Sequence, residues 1–253
     1  MVAVTPIVGE AAATVERESE TALLIADYHA GLERALRYRD GVSVHSREQQ
    51  RRDRLLGLLE ETDADTLYVV GDLMHSIGDP TYSERRELET LLSSIPAEID
   101  LIVIKGNHDG EIEQWLTGAT VHQAPGTIDD GLALSHGHTW PPVGALDAEV
   151  IVIGHEHPQV RLEDSVGGST VHRVWLRSEL DGEFLADHLD VTPPDDNPEL
   201  VVLPAFNELS GGTWINVQDE SFLVPYLPQS LIKPEVYLLD GTKLGQLGAL
   251  TIS

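Results

Sequence analysis

Cysteine is absent from the sequence. That excludes disulfides and thiolate metal sites and fits a reducing compartment. No apolar run approaches the roughly 18 residues of a membrane span. The opening stretch, MVAVTPIVGEAAATVERESE, lacks the basic and apolar regions of a secretory signal. A soluble, cytoplasmic protein with no membrane partner is expected. Repeats, heptads and low-complexity tracts are missing as well. Lysine is scarce: only Lys105, Lys233 and Lys243 stand among 16 basic residues, against 43 acidic ones, for a formal charge of −27. A chain so charged repels itself and is a poor general binder of nucleic acid. High salt removes both objections, because the Debye length falls to about 3 Å near 1 M. The charge therefore predicts a halophilic source, a salt-loving archaeon.

What is present is enough for a core. The chain has 253 residues, 41% of them apolar, which suits a domain of ordinary packing. Four continuous apolar runs of strand length, at 21–26, 65–70, 99–104 and 148–153, read as strands buried on both faces and covered by helices. Residues 46–61 and 82–94 read as amphipathic helices, the second opened by a capping box from Thr81 to Glu84. This is an α/β pattern. After Pro158, VHRVWLR, GEFLADHLDV, LVVLPAF, GTWINV and SFLVPYL read as strands separated by Gly, Pro and Asp turns. Residues 192–199 read as a surface loop. We expect one domain over 1–253, with a metal-site half at 20–160 and a β-rich half at 160–253 that forms a second sheet.

Each buried run is followed by polar residues that a core strand does not need. Asp27-Tyr28-His29 follows the first and Gly71-Asp72 the second. Gly106-Asn107-His108-Asp109 follows the third, and Gly154-His155-Glu156-His157 the fourth. His136 and His138 follow a further apolar stretch, in LALSHGHT. Ligands of open α/β sheets gather at the carboxyl ends of strands, so these clusters converge in space. Nitrogen donors with carboxylates and no sulfur suit Mn²⁺, Fe or Zn²⁺ better than Ca²⁺ or Mg²⁺. They are too many for one ion, and two ions about 3.5–4 Å apart, sharing an aspartate, would use them all.

The ordered set Asp-x-His, Gly-Asp, Gly-Asn-His-Asp, His and Gly-His-x-His, spanning residues 27–157, resembles that of the calcineurin-like metallophosphoesterase superfamily. The resemblance implies a four-layer α/β sandwich, two mixed β-sheets flanked by helices. It implies that Asp27, His29 and His157 hold one metal, that Asn107, His136 and His155 hold the other, and that Asp72 bridges them. His136, directly after a strand and before Gly, is favoured over His138. The two ions are most readily Mn²⁺, with Fe or Zn²⁺ as alternatives. A metal-bridging hydroxide would attack phosphorus in line with the leaving oxygen. His108, not needed as a ligand, becomes the general acid, oriented by Asp109, while Gly106 lets the backbone turn.

ADYHAG (26–31) and GDLMH (71–75) resemble the SbcD-related nuclease branch, which implies that His75 helps position or protonate a phosphodiester. The chain looks most like the smaller SbcD-related phosphoesterases of archaea. Nucleic acid is then a candidate substrate; a small phosphomonoester, or a silent scaffold of the same fold, are the alternatives. A homodimer is left open. Seven of the 13 arginines lie between Arg34 and Arg54. They form either a solvated helix face, with Glu48 pairing to Arg52, or a phosphate-contacting patch in which Arg47 and Arg51 bind substrate, since Arg47, Arg51 and Arg54 share one face. Arg177 and Asn207 read either as residues that face the site or, more readily, as strand-packing residues. Trp140 reads either as a residue that walls the pocket or stacks a base or, more readily, as core packing.

Overall fold

The computed structural model describes residues 2–17, 20–38, 41–42, 44–78, 80–164 and 166–252. Of the arginine-rich stretch, Arg39 lies outside them. The first sheet runs in chain order: β1 (Val4–Pro6), β2 (Ala13–Glu16), β3 (Thr21–Ile25), β4 (Thr66–Val70), β5 (Asp100–Ile104) and β6 (Thr120–His122). β3 to β6 are parallel, and β1 and β2 add on antiparallel. α1 (Leu32–Tyr38) and α2 (Glu48–Thr62) connect β3 to β4, and α3 (Tyr82–Ser94) connects β4 to β5.

The second sheet contains β7 (Thr127–Asp129), β8 (Leu132–Ser135), β9 (Val150–Ile153), β10 (Gln159–Glu163), β11 (Ser169–Leu180), β12 (Glu199–Val202), β13 (Leu231–Leu238) and β14 (Lys243–Gln246). Its order is β14-β13-β11-β12-β9-β8-β7, with β10 paired to the first part of β11. β8, β9 and β12 are parallel, the other pairings antiparallel. Two more helices, α4 (Gly182–Leu189) and α5 (Leu247–Leu250), lie in the second half, and short 3-10 turns at Ile112–Gln114 and Val143–Asp147 lie before it.

Side chains alternate across each strand, and the alternation builds the layers. Leu23 and Ile25 of β3 face α2 and α3, packing with Leu55, Leu59, Leu88 and Leu91. Ala22 and Leu24 face the other way and meet Leu134, Val152 and Trp175 of the second sheet. The far side of that sheet, with Ile151 and Leu176, is covered by Leu185 and Ala186 of α4. The result is the expected four-layer α/β sandwich of two mixed sheets flanked by helices. One detail differs. The first sheet has helices on only one face, because the second sheet covers the other.

Other local readings shift for identifiable reasons. The run 148–153 belongs to the second sheet, which recruits β7–β9 from before residue 160. GEFLADHLDV is a helix, not a strand: the Asp181 side chain accepts the Phe184 N–H at 3.0 Å and caps α4. LVVLPAF is strand only to Val202, before Pro204. GTWINV and SFLVPYL form turns, held instead by long-range bonds to Glu156, as when its carboxylate accepts the Leu223 and Val224 N–H groups at 3.0 and 3.1 Å. The capping box is present: Thr81 N–H donates to Glu84 at 2.7 Å, and Glu84 N–H to the Thr81 hydroxyl at 3.4 Å.

Candidate metal centre

The parallel strands end level. Ile25 pairs with Val69, Val70 with Ile104, and Ser135 with Ile153. The polar residues that follow therefore emerge along one edge. Backbone bonds then fasten the loops together. Asp27 N–H donates to Gly71 O at 3.0 Å, His29 N–H to Asp72 O at 2.9 Å, and Gly154 N–H to His136 O at 3.0 Å. Asp27, His29, Asp72, His155 and His157 all have left-handed backbone, with φ of 58°, 48°, 50°, 65° and 43°. Asp and His tolerate that region better than most residues, but each such position still costs of order 1 kcal/mol and persists where the surroundings enforce it.

Two groups form. Asp27, His29 and His157 bring their ligand atoms within 4.8 Å of one another, and so do Asp72, His136 and His155. In the first, His157 Nε2 lies 3.1 Å from Asp27 Oδ1 and 3.4 Å from His29 Nε2. In the second, His136 Nε2 lies 3.4 Å from Asp72 Oδ2 without the geometry of a hydrogen bond, and that nitrogen is buried with no other partner. Asp72 also sits 3.9 Å from His29, so it reaches both groups. A buried imidazole nitrogen without a hydrogen-bond partner and facing a carboxylate, as at His136, suits a divalent cation, and the residues of these groups fit such an ion. His138 stands beside the second group, 5.4 Å ring to ring from His136. Asn107, the neutral member of the expected set, is exposed at the end of β5.

Gly106 is needed for a reason other than turning. A Cβ there would lie 2.0 Å from Asp72 Oδ1, so the glycine makes room for the carboxylate shared by the two groups. Asp109 is buried, accepting the Gly106 N–H at 2.8 Å and the Met74 N–H at 3.0 Å. It joins the loops after β4 and β5 through their backbones rather than by touching the His108 ring. That ring is oriented by His75: its Nδ1 donates to the His75 carbonyl, and the two rings stack at 5.5 Å. His29 meets both edge-on, and His29, His75 and His108 form a third close group. His108 Nε2 lies 3.9 Å from Asp72.

Charge state follows burial and neighbours. Burial opposes ionising Asp27 and Asp72, but the imidazoles around them outweigh it and hold both pKa values below the usual range. Burial pulls His29 down to about 3 and His155 to about 4. For His136, burial is overcome by Asp72 and Asp27, and its pKa rises to about 9. Burial, then Asp72, pushes Asp109 up to about 6.

The arginines go elsewhere. Arg51 is buried, with Nη1 2.8 Å from Glu33 and Nη2 bonded to Glu87. A buried guanidinium requires such partners, and the expected contact of Arg51 with substrate is replaced by this internal triad. Arg47 pairs with Glu208 at 2.7 Å, and Arg54 with Glu10 and Glu208. Arg52 pairs with Asp53 rather than Glu48. Trp140 packs on His188, and Arg177 pairs with Glu199, as packing residues do. Asn207 is different. It is 1% exposed and its amide donates to the carbonyls of Tyr28 and His29 at 3.2 and 3.4 Å. It supports the centre rather than serving strand packing alone, through partners that lie 179 and 178 residues away.

Among solved structures, the chain is similar to the Pseudomonas putida nuclease MPE, at 21% identity and a TM-score of 0.55, over 94% of this chain and 98% of that one. It is also similar to Yfce, a phosphoesterase from E. coli, at 15% identity and a TM-score of 0.41, over 89% and 97%. No curated protein matches the sequence. Residues 21–214 match the calcineurin-like phosphoesterase family, and that span carries every strand of the first sheet from β3 onward and both ligand groups. The chain belongs to the calcineurin-like phosphoesterases, hydrolases of phosphoester bonds.

Proposed function

We propose that the protein is a dinuclear metal-dependent phosphodiesterase acting on nucleic acid, with Asp27, His29 and His157 holding one ion and Asn107, His136 and His155 the other, and Asp72 shared. The observation that carries this reading is the abutment of the two ligand groups on Asp72, with His75 and His108 stacked in front. When bound, two divalent cations would supply Lewis-acid charge and lower the pKa of water at this position; Mn²⁺ suits the mixed nitrogen and oxygen donors.

The chain's own groups perform the remaining work. Asp72 fixes the His108 backbone through its N–H at 2.9 Å. The His75 carbonyl fixes the His108 ring with Nε2 free to face the leaving oxygen and give it a proton. Diesters are favoured over monoesters because the arginines of α2 are neutralised by carboxylates. A monoester dianion calls for a free cationic clamp; a monoanionic diester facing imidazoles does not. The charge of −27 supports a halophilic archaeal setting and work in molar salt.

The test is hydrolysis with Mn²⁺ in molar KCl, comparing bis-p-nitrophenyl phosphate with p-nitrophenyl phosphate, with Asp72→Ala as control. Diester cleavage lost in Asp72→Ala is expected. Cleavage of the monoester alone would replace the reading with a small-molecule phosphatase. Two bound ions with neither activity would make the protein a scaffold.

A further inference from the structure

One segment, residues 206–212, crosses the edge of the centre and grips only one of its halves among the described contacts. Phe206 N–H donates to Ala26 O at 2.8 Å and Asn207 N–H to Asp27 O at 3.1 Å. The Asn207 amide then donates to the Tyr28 and His29 carbonyls, while its own oxygen accepts the Leu209 N–H at 3.0 Å. Four residues on, Gly211 O accepts His157 Nδ1–H at 2.8 Å, which turns Nε2 toward Asp27. Gly212 packs so closely on His157 that a Cβ would lie 2.0 Å from its carbonyl. The residues gripped are Asp27, His29 and His157, the members of one ligand group. The other group receives none of these bonds from residues 206–212 among the described contacts: His136 Nδ1 donates to Val70 O at 3.0 Å, Asp72 accepts the His108 N–H, and the His155 N–H donates to Asp27 Oδ2 at 3.2 Å.

We propose that Asn207 is a positioning residue for the cation of the Asp27, His29 and His157 group, acting on that half of the centre alone. The proposal rests on the dinuclear reading above. The physical need is specific. Asp27 and His29 sit at φ of 58° and 48°, conformations that relax unless the neighbouring peptides are tied. On one side the ties are Gly71 O, Asp72 O and Leu73 O, which accept from Asp27, His29 and Ala30. On the other side the ties are the Phe206 and Asn207 backbones and the Asn207 side chain. Tyr28 and His29 are buried, so without the amide the Tyr28 carbonyl would lose its described partner and the His29 carbonyl would keep only the Leu32 N–H at 3.2 Å. A neutral amide does this without adding a charge beside the cations.

The experiment is calorimetric titration of metal-free protein with Mn²⁺, on wild type, Asn207→Ala and Asn207→Asp. The Asp variant keeps the acceptor for Leu209 N–H but loses the two donations. Wild type is expected to bind two ions. In both variants one ion should bind about 10- to 100-fold more weakly, as is typical when a group supporting a ligand is removed, and the other should be unchanged. In an Asp27→Ala background, Asn207→Ala should have no further effect, because the ion it serves is already lost. Unchanged affinity for both ions overturns the proposal, and so does an equal loss at both, which would mark general loosening. If Asn207→Ala does not fold, Asn207→Ser, whose hydroxyl can donate to one carbonyl, carries the same comparison with a smaller expected loss. A wild type that binds a single ion sinks the dinuclear reading; the proposal then stands or falls on whether Asn207→Ala weakens that ion.

Discussion

Asp72 Oδ1 accepts the backbone N–H of His108 at 2.9 Å, while its Oδ2 lies 3.4 Å from His136 Nε2 and 3.9 Å from His29 Nε2. One carboxylate thus fixes the loop bearing the proposed acid and faces an imidazole from each half. Asp72→Asn keeps an oxygen for His108 N–H but removes the charge. We expect diester hydrolysis to fall at least 100-fold at temperatures where the variant stays folded, and thermal unfolding of the metal-free protein to shift down near neutral pH, because His136 loses the carboxylate that holds its proton. Retained activity would remove Asp72 from the proposed role.

Gly106→Ala should be far more damaging than an ordinary Gly→Ala change. The added methyl meets Asp72 Oδ1 at 2.0 Å and Asp72 N at 2.5 Å, and the backbone there is tied by Asp109. Overpacking of this kind costs about 1–3 kcal/mol. Urea denaturation should show that loss, and Mn²⁺ binding should weaken with it. A variant of wild-type stability and metal affinity would contradict the packing described here.

Arg51 distinguishes internal pairing from substrate contact. Arg51→Met strands Glu33 and Glu87 in a buried site, at a cost of about 3–5 kcal/mol, with KM unchanged at temperatures where the variant stays folded. Adding Glu33→Gln and Glu87→Gln should recover much of the stability. A raised KM with normal stability would return Arg51 to the substrate-binding role.

The metal-free protein should lose stability as pH rises from 6.5 to 9. Burial alone would lower the His136 pKa, but Asp72 and Asp27 hold it at about 9, above an unfolded value near 6.5. The bound proton therefore stabilises the fold fully below about pH 6.5, and that contribution disappears as pH climbs through the folded value. Melting curves in chelator at pH 6.5 and 9 should show the drop, and His136→Gln should flatten it. An equally steep profile in the variant would assign the effect to another group.

The parts of this molecule legible from sequence are those with local causes. Continuous apolar runs gave β3, β4, β5 and β9, and the polar residues just after these strands and β8 are the ones that come together in the two clusters of candidate ligands, because strand ends deliver both from adjacent positions. Thr81 and Glu84 announced α3 for the same reason. α4 was misread because GEFLADHL is short and apolar enough to pass for a strand; the cap at Asp181 decides it. The turns at 212–227 were invisible, and Asn207 could be singled out but not given its partners, since both depend on residues more than fifty positions away, Glu156 for the first and Tyr28 and His29 for the second.

Five of the proposed ligand residues hold left-handed backbone, and hydrogen bonds from neighbouring loops enforce those conformations independently of any ion. The centre is in that sense a cast socket. Loading it asks for proton release from groups such as His136, but for no rearrangement of the chain. Uptake should therefore be limited by deprotonation and ion supply, with little heat-capacity change, and one ion should exchange for another without unfolding. Selectivity among Mn²⁺, Fe and Zn²⁺ then falls to donor chemistry and cellular abundance, since a rigid frame of imidazoles and carboxylates accepts all three.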